Sequence, residues 1–103
     1  MKSVLSNDKE CYICRTEYSL CTTHNLHRHH VFGGTANRKK SEKEGCWVYL
    51  CAPHHNMSNK GVHFDQEANL KLKKKCQAAW MAENDKSIDE FRKRFGKNYL
   101  DED

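Results

Sequence analysis

The sequence predicts a small α+β domain that a metal ion helps to hold together. Three observations lead to this class: six Cys and seven His among 103 residues, two segments rich in β-branched and aromatic residues, and apolar residues at helical spacing in the last third. Only 37% of the residues are hydrophobic, so the apolar core is thin. Chains of this size often need a bound metal ion or a disulfide to stabilise the fold. The length fits one domain.

Two pairs of residues have the spacing of metal ligands. Cys11 and Cys14 are separated by two residues, and Cys51 and His54 repeat that spacing. Without a secretion signal, such a C-x₂-C indicates metal or redox chemistry before a disulfide, and two half-sites suit a tetrahedral zinc ion. The alternative is a set of reduced thiols without metal, which leaves the thin core unsupported. The remaining cysteines are predicted to be small buried hydrophobes: Cys21, Cys46 and Cys76.

The first half of the chain predicts a knuckle followed by two strands. Residues 1–10 are polar and expected to be flexible. A first strand is expected from Leu26 to Phe32, where Gly33–Gly34 indicates a turn. Residues 35–45 form a basic polar loop in this interpretation, and residues 46–50 form the second strand because they are β-branched and aromatic.

The second half predicts three helices. One opens after the second strand, with Pro53 in its first turn, and stops near Gly61. Asp65 is the expected N-cap of an amphipathic helix that ends near residue 82, and Ser87 begins a capping box for a last helix that Gly96 closes. The chain therefore divides into three parts: a flexible N-terminus over 1–10, a zinc-knuckle and strand–helix core over 11–64, and a helical extension over 65–100.

The histidines predict a second site beside the zinc knuckle. Five of the seven lie in two clusters: His27, His29 and His30, then His54 and His55. Neighbours on a helix point about 100° apart, so His54 can close the zinc site while His55 faces another. Neighbours on a strand point to opposite faces, so His29 and His30 share one site only where the strand bends, as Gly33–Gly34 favours. Solvated or core-satisfied rings are expected at His24 and His27.

Charge and hydropathy narrow the classes of protein to which the chain can belong. The chain has 18 Lys and Arg against 14 Asp and Glu, and a net charge of +4 is compatible with a polyanionic partner. No segment approaches the roughly 20 apolar residues of a membrane span, and the first eight residues lack the apolar region of a signal peptide. We therefore expect no membrane partner and a cytoplasmic location. The lysine run at 71–75 is expected to be a solvated helix face.

These motifs resemble the HNH endonucleases, and more narrowly the small HNH nuclease-like proteins that bacteriophages and prophages encode. The likeness covers about residues 11–100 and rests on four segments: residues 26–34, 47–51, 53–63 and 91–100. It implies a ββα-metal core beside a treble-clef-like zinc knuckle, a metal-dependent DNA endonuclease, the cytoplasm of a bacterial host, and other phage proteins as further partners.

The resemblance also implies roles for individual residues. His29 and His55 are the implied ligands of a catalytic divalent metal ion, His30 is the implied general base, and either Asn59 or His63 completes the metal shell. Imidazole ligands favour Mn²⁺, Ni²⁺, Co²⁺ or Zn²⁺ over Mg²⁺. Cations near the first strand are the candidate contacts to the phosphate backbone, unless they form a merely solvated loop. These are Arg28, Arg38, Lys39 and Lys40.

One position departs from the family pattern. The middle Asn of the motif falls on Cys46 or Trp47, and neither side chain offers an amide; Asn37 is the candidate replacement that tethers the loop. Two other functions remain open: a zinc-stapled nucleic-acid-binding module without catalysis, and a protein-interaction adaptor. A second histidine pair favours the enzyme, because a purely structural zinc module does not need one.

Overall fold

A two-stranded antiparallel sheet lies at the centre of the fold. The computed structural model describes residues 2–33, 35–57, 61 and 65–100. Strand β1 (Leu26–His30) pairs with strand β2 (Trp47–Cys51). Around the sheet, the described residues form four α-helices and one π-helical turn: α1 (Tyr12–Tyr18), α2 (Thr35–Glu44), the π turn (Pro53–Met57), α3 (Gln66–Asn84) and α4 (Ile88–Phe95). The predicted α+β class is confirmed.

Among the residues that the structure describes, no helix is both long enough and apolar enough to cross a bilayer.

Helix α2 replaces the loop that the sequence predicts over residues 35–45, so that prediction is wrong. Seven of its ten residues are Ala, Lys, Arg or Glu, which are strong helix formers, and Gly45 ends the helix with a φ of 78°. The helix has no apolar stripe, so hydrophobic periodicity does not predict it. Polar contacts attach it instead: Ser41 Oγ accepts from the Phe32 N–H at 3.1 Å and donates to the Phe32 carbonyl at 2.9 Å.

The first strand is shorter than predicted, and the N-terminal segment is attached to the sheet. β1 ends at His30, and Phe32 leaves the sheet to become fully buried.

Among residues 2–10, which were expected to be flexible, buried Ser3 donates its Oγ–H to the Trp47 carbonyl at 2.6 Å, and the Val4 N–H donates to the Gly45 carbonyl at 2.9 Å. Those two bonds tie the segment to the start of β2.

The predicted helix termini of the extension are confirmed. Asp65 caps α3 by accepting from the Ala68 N–H at 3.1 Å, and Ser87 begins α4 with a complete capping box. Gly96 follows α4 with a φ of 89°, a conformation that glycine adopts without strain. The helix predicted after the second strand begins as expected, as the π turn; its end was predicted near Gly61, and the residues on either side of that glycine, 58–60 and 62–64, lie outside the described residues.

An aromatic cluster joins the helical extension to the sheet. The ring of Phe32 lies 4.8 Å from that of Phe95 and 5.1 Å from that of Phe91, and Trp80 contacts Phe91 at 5.5 Å. Because Phe32 lies two residues after the end of β1, the C-terminal helices share the core that supports the strand with its histidines.

We predict that Phe91→Ala lowers the free energy of unfolding by about 3–5 kcal/mol, because it leaves a cavity at a fully buried position. Leu20→Ala is the control, since this side chain is 56% exposed, and its effect stays within about 0.5 kcal/mol. Denaturant unfolding of the two variants with metal present measures both values. Equal losses would contradict this assignment of the core.

Candidate metal centre and histidine cluster

Four side chains from three elements converge on one point. Cys11 caps α1 and Cys14 lies in its first turn, Cys51 ends β2, and His54 comes from the π turn. The three cysteines are buried, and all four ligand atoms lie within 4.8 Å of one another. The set can hold a structural metal ion such as zinc, as the two half-sites in the sequence predict.

The distances within this set fit a tetrahedral ion. His54 Nδ1 lies 3.7, 3.4 and 3.3 Å from the sulfurs of Cys11, Cys14 and Cys51, respectively. The sulfurs of Cys14 and Cys51 are 3.8 Å apart. Zn–S and Zn–N bonds of about 2.3 and 2.0–2.1 Å at tetrahedral angles place two sulfurs about 3.8 Å apart, and a sulfur and a nitrogen about 3.6 Å apart. The donor set therefore matches zinc in both chemistry and size.

Neighbouring groups orient the ligands. Cys11 Sγ accepts from the Cys14 N–H at 3.4 Å, so the N-terminal turn of α1 fixes the sulfur. The ring of Tyr18 stacks on that of His54 at 5.5 Å, with 10° between the ring planes. Such outer contacts hold ligands in the orientation that a metal ion requires.

Burial disfavours the charged form of the thiols in this site. It raises the pKa of Cys51 to about 12, and the neighbouring Cys11 and Cys14 contribute to the increase, while the His54 backbone N–H opposes it. Because zinc binds thiolates, metal uptake must release protons from this site. The affinity for zinc therefore falls as the pH is lowered.

The other cysteines divide into a buried pair and an exposed thiol. Cys46 and Cys76 are fully buried, as predicted, and a hydrogen bond to Cys46, followed by burial, raises the pKa of Cys76. The prediction for Cys21 is wrong, because this thiol is exposed and donates to Glu10 at 3.1 Å. Arg15 and then Cys21 lower the pKa of Glu10 to about 2. This polar cluster keeps Cys21 at the surface.

His55 lies next to a ligand of the first site but is directed to strand β1. Its Nδ1 is 2.8 Å from Nδ1 of His27, and its ring centroid is 5.1 Å from that of buried His29. We call these three residues, His27, His29 and His55, the histidine cluster. The structure thus brings His29 and His55 together and separates His55 from the His54 site. It also adds His27, for which a solvated or core-satisfied ring was expected.

His30 lies on the other face of β1. The strand is paired regularly through His30, which is opposite Trp47, so His29 and His30 point to opposite faces. His30 Nε2 lies 2.8 Å from Glu42 Oε1. Arg28 shares this face, with Nη2 3.4 Å from Glu42 Oε2 and its guanidinium 3.6 Å from the centre of the Trp47 ring. The expected bend that turns both histidines to one side is not present before His30.

Helix α2 carries Asn37, which the sequence interpretation proposed as a tether. Asn37, the candidate tether of the loop, donates to the Phe95 carbonyl at 3.2 Å and so attaches α2 to the end of α4. Cys46, at the position of the family's Asn, is buried and accepts from the Val31 N–H through its carbonyl. Ser41, which sequence reasoning missed, holds the chain directly after His30.

The available signal for Ser41 was the helix propensity of residues 36–44. On a helix, Asn37, Ser41 and Glu44 fall on one face at spacings of four and three. The structure places these three side chains against the rest of the fold, and Glu44 accepts from Trp80 Nε1 at 3.2 Å.

The remaining sequence-predicted site residues have different outcomes. Arg38 and Lys39 are exposed on α2, Lys40 is half-buried on the same helix, and Arg28 is partly exposed on β1. Asn59 and His63, the alternative members of the catalytic metal shell, lie outside the described residues. Within the described ranges, the Cys11–Cys14–Cys51–His54 set is the one group of three or more Cys, His, Asp or Glu ligands close enough for a single ion.

Comparisons of the chain with protein-family models, with curated proteins and with solved structures gave no match. The HNH interpretation therefore stays a prediction from the sequence motifs.

We predict that the protein isolated with zinc carries about one structural ion per chain and that Cys14→Ser reduces this content to near zero, because a serine hydroxyl does not replace a thiolate ligand. Cys21→Ser is the control and retains the ion. Elemental analysis measures the zinc, and thermal unfolding follows the accompanying loss of stability. Full zinc retention in Cys14→Ser would rule out this ligand set.

Proposed function

We propose that this chain is a metal-dependent endonuclease of the HNH type that hydrolyses phosphodiester bonds in DNA. The observation that supports this most directly is that two adjacent histidines of the π turn face two different sets of side chains. His54 belongs to the Cys₃His set, while His55 faces His27 and His29 on β1. A purely structural zinc module uses the first set and has no requirement for the second.

The histidine cluster has the chemistry of a metal-binding site. When Nδ1 of His55 donates to Nδ1 of His27, which is 2.8 Å away, Nε2 of His55 keeps its lone pair for a metal ion. His29 offers a second imidazole on the same side of the sheet. A divalent ion bound here supplies positive charge for the attacked phosphate and for the leaving oxygen.

His30 has the surroundings of a general base. A proton on Nε2 is held by Glu42 at 2.8 Å, and this leaves Nδ1 free of hydrogen and able to accept a proton from water. Glu42 acts as a positioning residue, and Arg28 fixes its second oxygen. For His29 and His30 to serve one phosphodiester, the substrate must lie across the end of β1, where the two faces meet.

Cations on α2 support a nucleic-acid substrate. Arg38 and Lys39 are exposed on the helix that carries Glu42. They are suited to contact the phosphate backbone and to position it, without reading the sequence of bases. Arg28 instead contacts Glu42 and Trp47, so its proposed role is to support His30.

The alternative is a zinc-stapled module that binds nucleic acid without cleaving it. One observation favours this alternative: among the described residues, only the Cys₃His set gathers three or more metal ligands. In such a module, the ring contacts among His27, His29 and His55 serve only packing. DNA binding without metal-stimulated cleavage would distinguish it from the enzyme.

We predict that His30→Ala slows plasmid nicking by about 10²-fold or more, since it removes the general base, while DNA affinity changes little. His24→Ala is the control, because this histidine is exposed and outside both sites. Nicking is compared across Mg²⁺, Mn²⁺, Ni²⁺ and a chelator. Cleavage at the wild-type rate by His30→Ala would refute the assigned base.

We predict that substitution of the adjacent histidines has separable effects. His55→Ala retains the structural zinc and its unfolding transition but loses roughly 10²-fold or more of the metal-stimulated cleavage. His54→Ala loses the zinc and the folded state with it. Elemental analysis, thermal unfolding and nicking are measured on both variants. If His55→Ala released the same zinc ion as His54→Ala, the two histidines would not serve separate sites.

A further inference from the structure

A cleft with three lysines lies between α3 and the segment that follows α4. It has a volume of about 440 Å³ and is open to solvent. Lys73 and Lys74 contribute from α3, and Lys97 contributes from the C-terminal segment. We call these three residues with their surroundings the lysine cleft. It is distinct from the metal centre and from the histidine cluster.

The fold separates the lysine run of α3 into two groups. Lys71 and Lys75 lie one turn apart and form ion pairs with Glu17, at 2.9 and 3.7 Å. The ammonium groups of Lys73 and Lys97 lie instead 5.0 and 5.4 Å from the centre of the Tyr99 ring. In the part of the chain that the structure describes, no carboxylate is within 4 Å of the three cleft lysines. The lysine run, predicted to be a solvated helix face, thus divides into lysines that pair with Glu17 and lysines that line the cleft.

A buried amide fixes the wall of the cleft. Gln77 is fully buried, its Nε2 donates to Asn98 Oδ1 at 2.7 Å, and its Oε1 accepts from the Tyr99 N–H at 2.7 Å. The ring of Tyr99 stacks on Phe32 at 5.4 Å. Because both ends of the buried amide are satisfied, the C-terminal segment has one preferred arrangement against α3. The cleft is thus a built feature of the fold.

The ammonium groups of Lys73 and Lys97 both lie over the Tyr99 ring, and among the described residues neither forms an ion pair with a carboxylate. Burial, followed by the charge of Lys97, lowers the pKa of Lys73. An anion bound between the lysines relieves this repulsion and accepts charge-assisted hydrogen bonds from both ammonium groups. Lysine is a point-charge donor on a flexible stem and suits a phosphate whose orientation varies along a nucleic acid.

We propose that the lysine cleft binds the phosphate backbone of DNA as a second contact surface, separate from the histidine cluster. This inference rests on the proposed function for the identity of the polyanion. Asn69 and Gln66 also line the cleft, and amide side chains commonly contact phosphate and sugar oxygens. The contact adds affinity and positions the duplex without selecting a base sequence.

The test measures DNA affinity in two matched double variants. Lys73→Gln/Lys97→Gln removes two cations from the cleft, and Lys71→Gln/Lys75→Gln removes two cations that face Glu17. Anisotropy of a labelled 30-base-pair duplex is measured with the zinc-loaded chain, without added Mg²⁺ or Mn²⁺, across a series of salt concentrations. We expect the cleft variant to bind about 10-fold more weakly, and its salt slope to fall by about 2. The control changes affinity by less than about 3-fold.

Equal losses in the two variants would overturn the inference, since they would reflect net charge alone, and so would no loss in either. Lys74→Gln gives a second measure in the same cleft, with an expected loss of about 1 in the salt slope. It replaces the cleft double variant if thermal unfolding shows that the latter is not folded. Titration with inorganic phosphate tests the other source of this anion: saturable phosphate binding in the cleft with unchanged DNA affinity would also overturn the inference.

Plasmid nicking separates this inference from the proposed function. If the wild type does not cleave DNA but the cleft variant binds it more weakly, the endonuclease proposal fails and the cleft stands. If cleavage depends on His30 while the cleft variant binds DNA normally, the endonuclease proposal stands and the cleft fails.

Discussion

The convergence of Cys11, Cys14, Cys51 and His54 is the interaction on which the rest of the structure depends. It connects the first helix to the end of β2 and the π turn, and about 40 residues of the chain separate the helix from these two elements. A domain with so few hydrophobic residues has limited apolar surface with which to hold such elements together. A bound ion adds free energy of folding at the point where these elements meet.

The position of His55 follows from that convergence. Because His54 is fixed against the three sulfurs, the next residue of the short π turn has little freedom, and its ring meets His27 and His29 on β1. Single π-helical turns often occur at functional sites, and here the turn serves two sets of side chains. The geometry of the histidine cluster is consequently linked to that of the neighbouring Cys₃His set, although the two share no residue.

Sequence reasoning reached the features whose cause is local. Ligand spacing identified the Cys₃His set, and capping residues such as Ser87 located helix ends, because each depends on residues a few positions apart. It failed at α2, since the search for an apolar period misses a helix that polar side chains attach. The period of two in a strand already places His29 and His30 on opposite faces. That Glu42 lies beside His30 depends on tertiary packing, which no local pattern reveals.

Buried polar side chains, together with the small core and the metal ligands, fix the arrangement of the elements. Ser41 holds α2 against the backbone of Phe32, and Gln77 holds the C-terminal segment so that Tyr99 stacks on the ring of the same Phe32. Each of these polar groups is satisfied, so each favours one arrangement of its element. Phe32 therefore helps to position both the carboxylate of Glu42 and the Tyr99 ring beneath the cleft lysines. Because Phe32 lies two positions after His30, both surfaces are connected to the strand that carries the histidines.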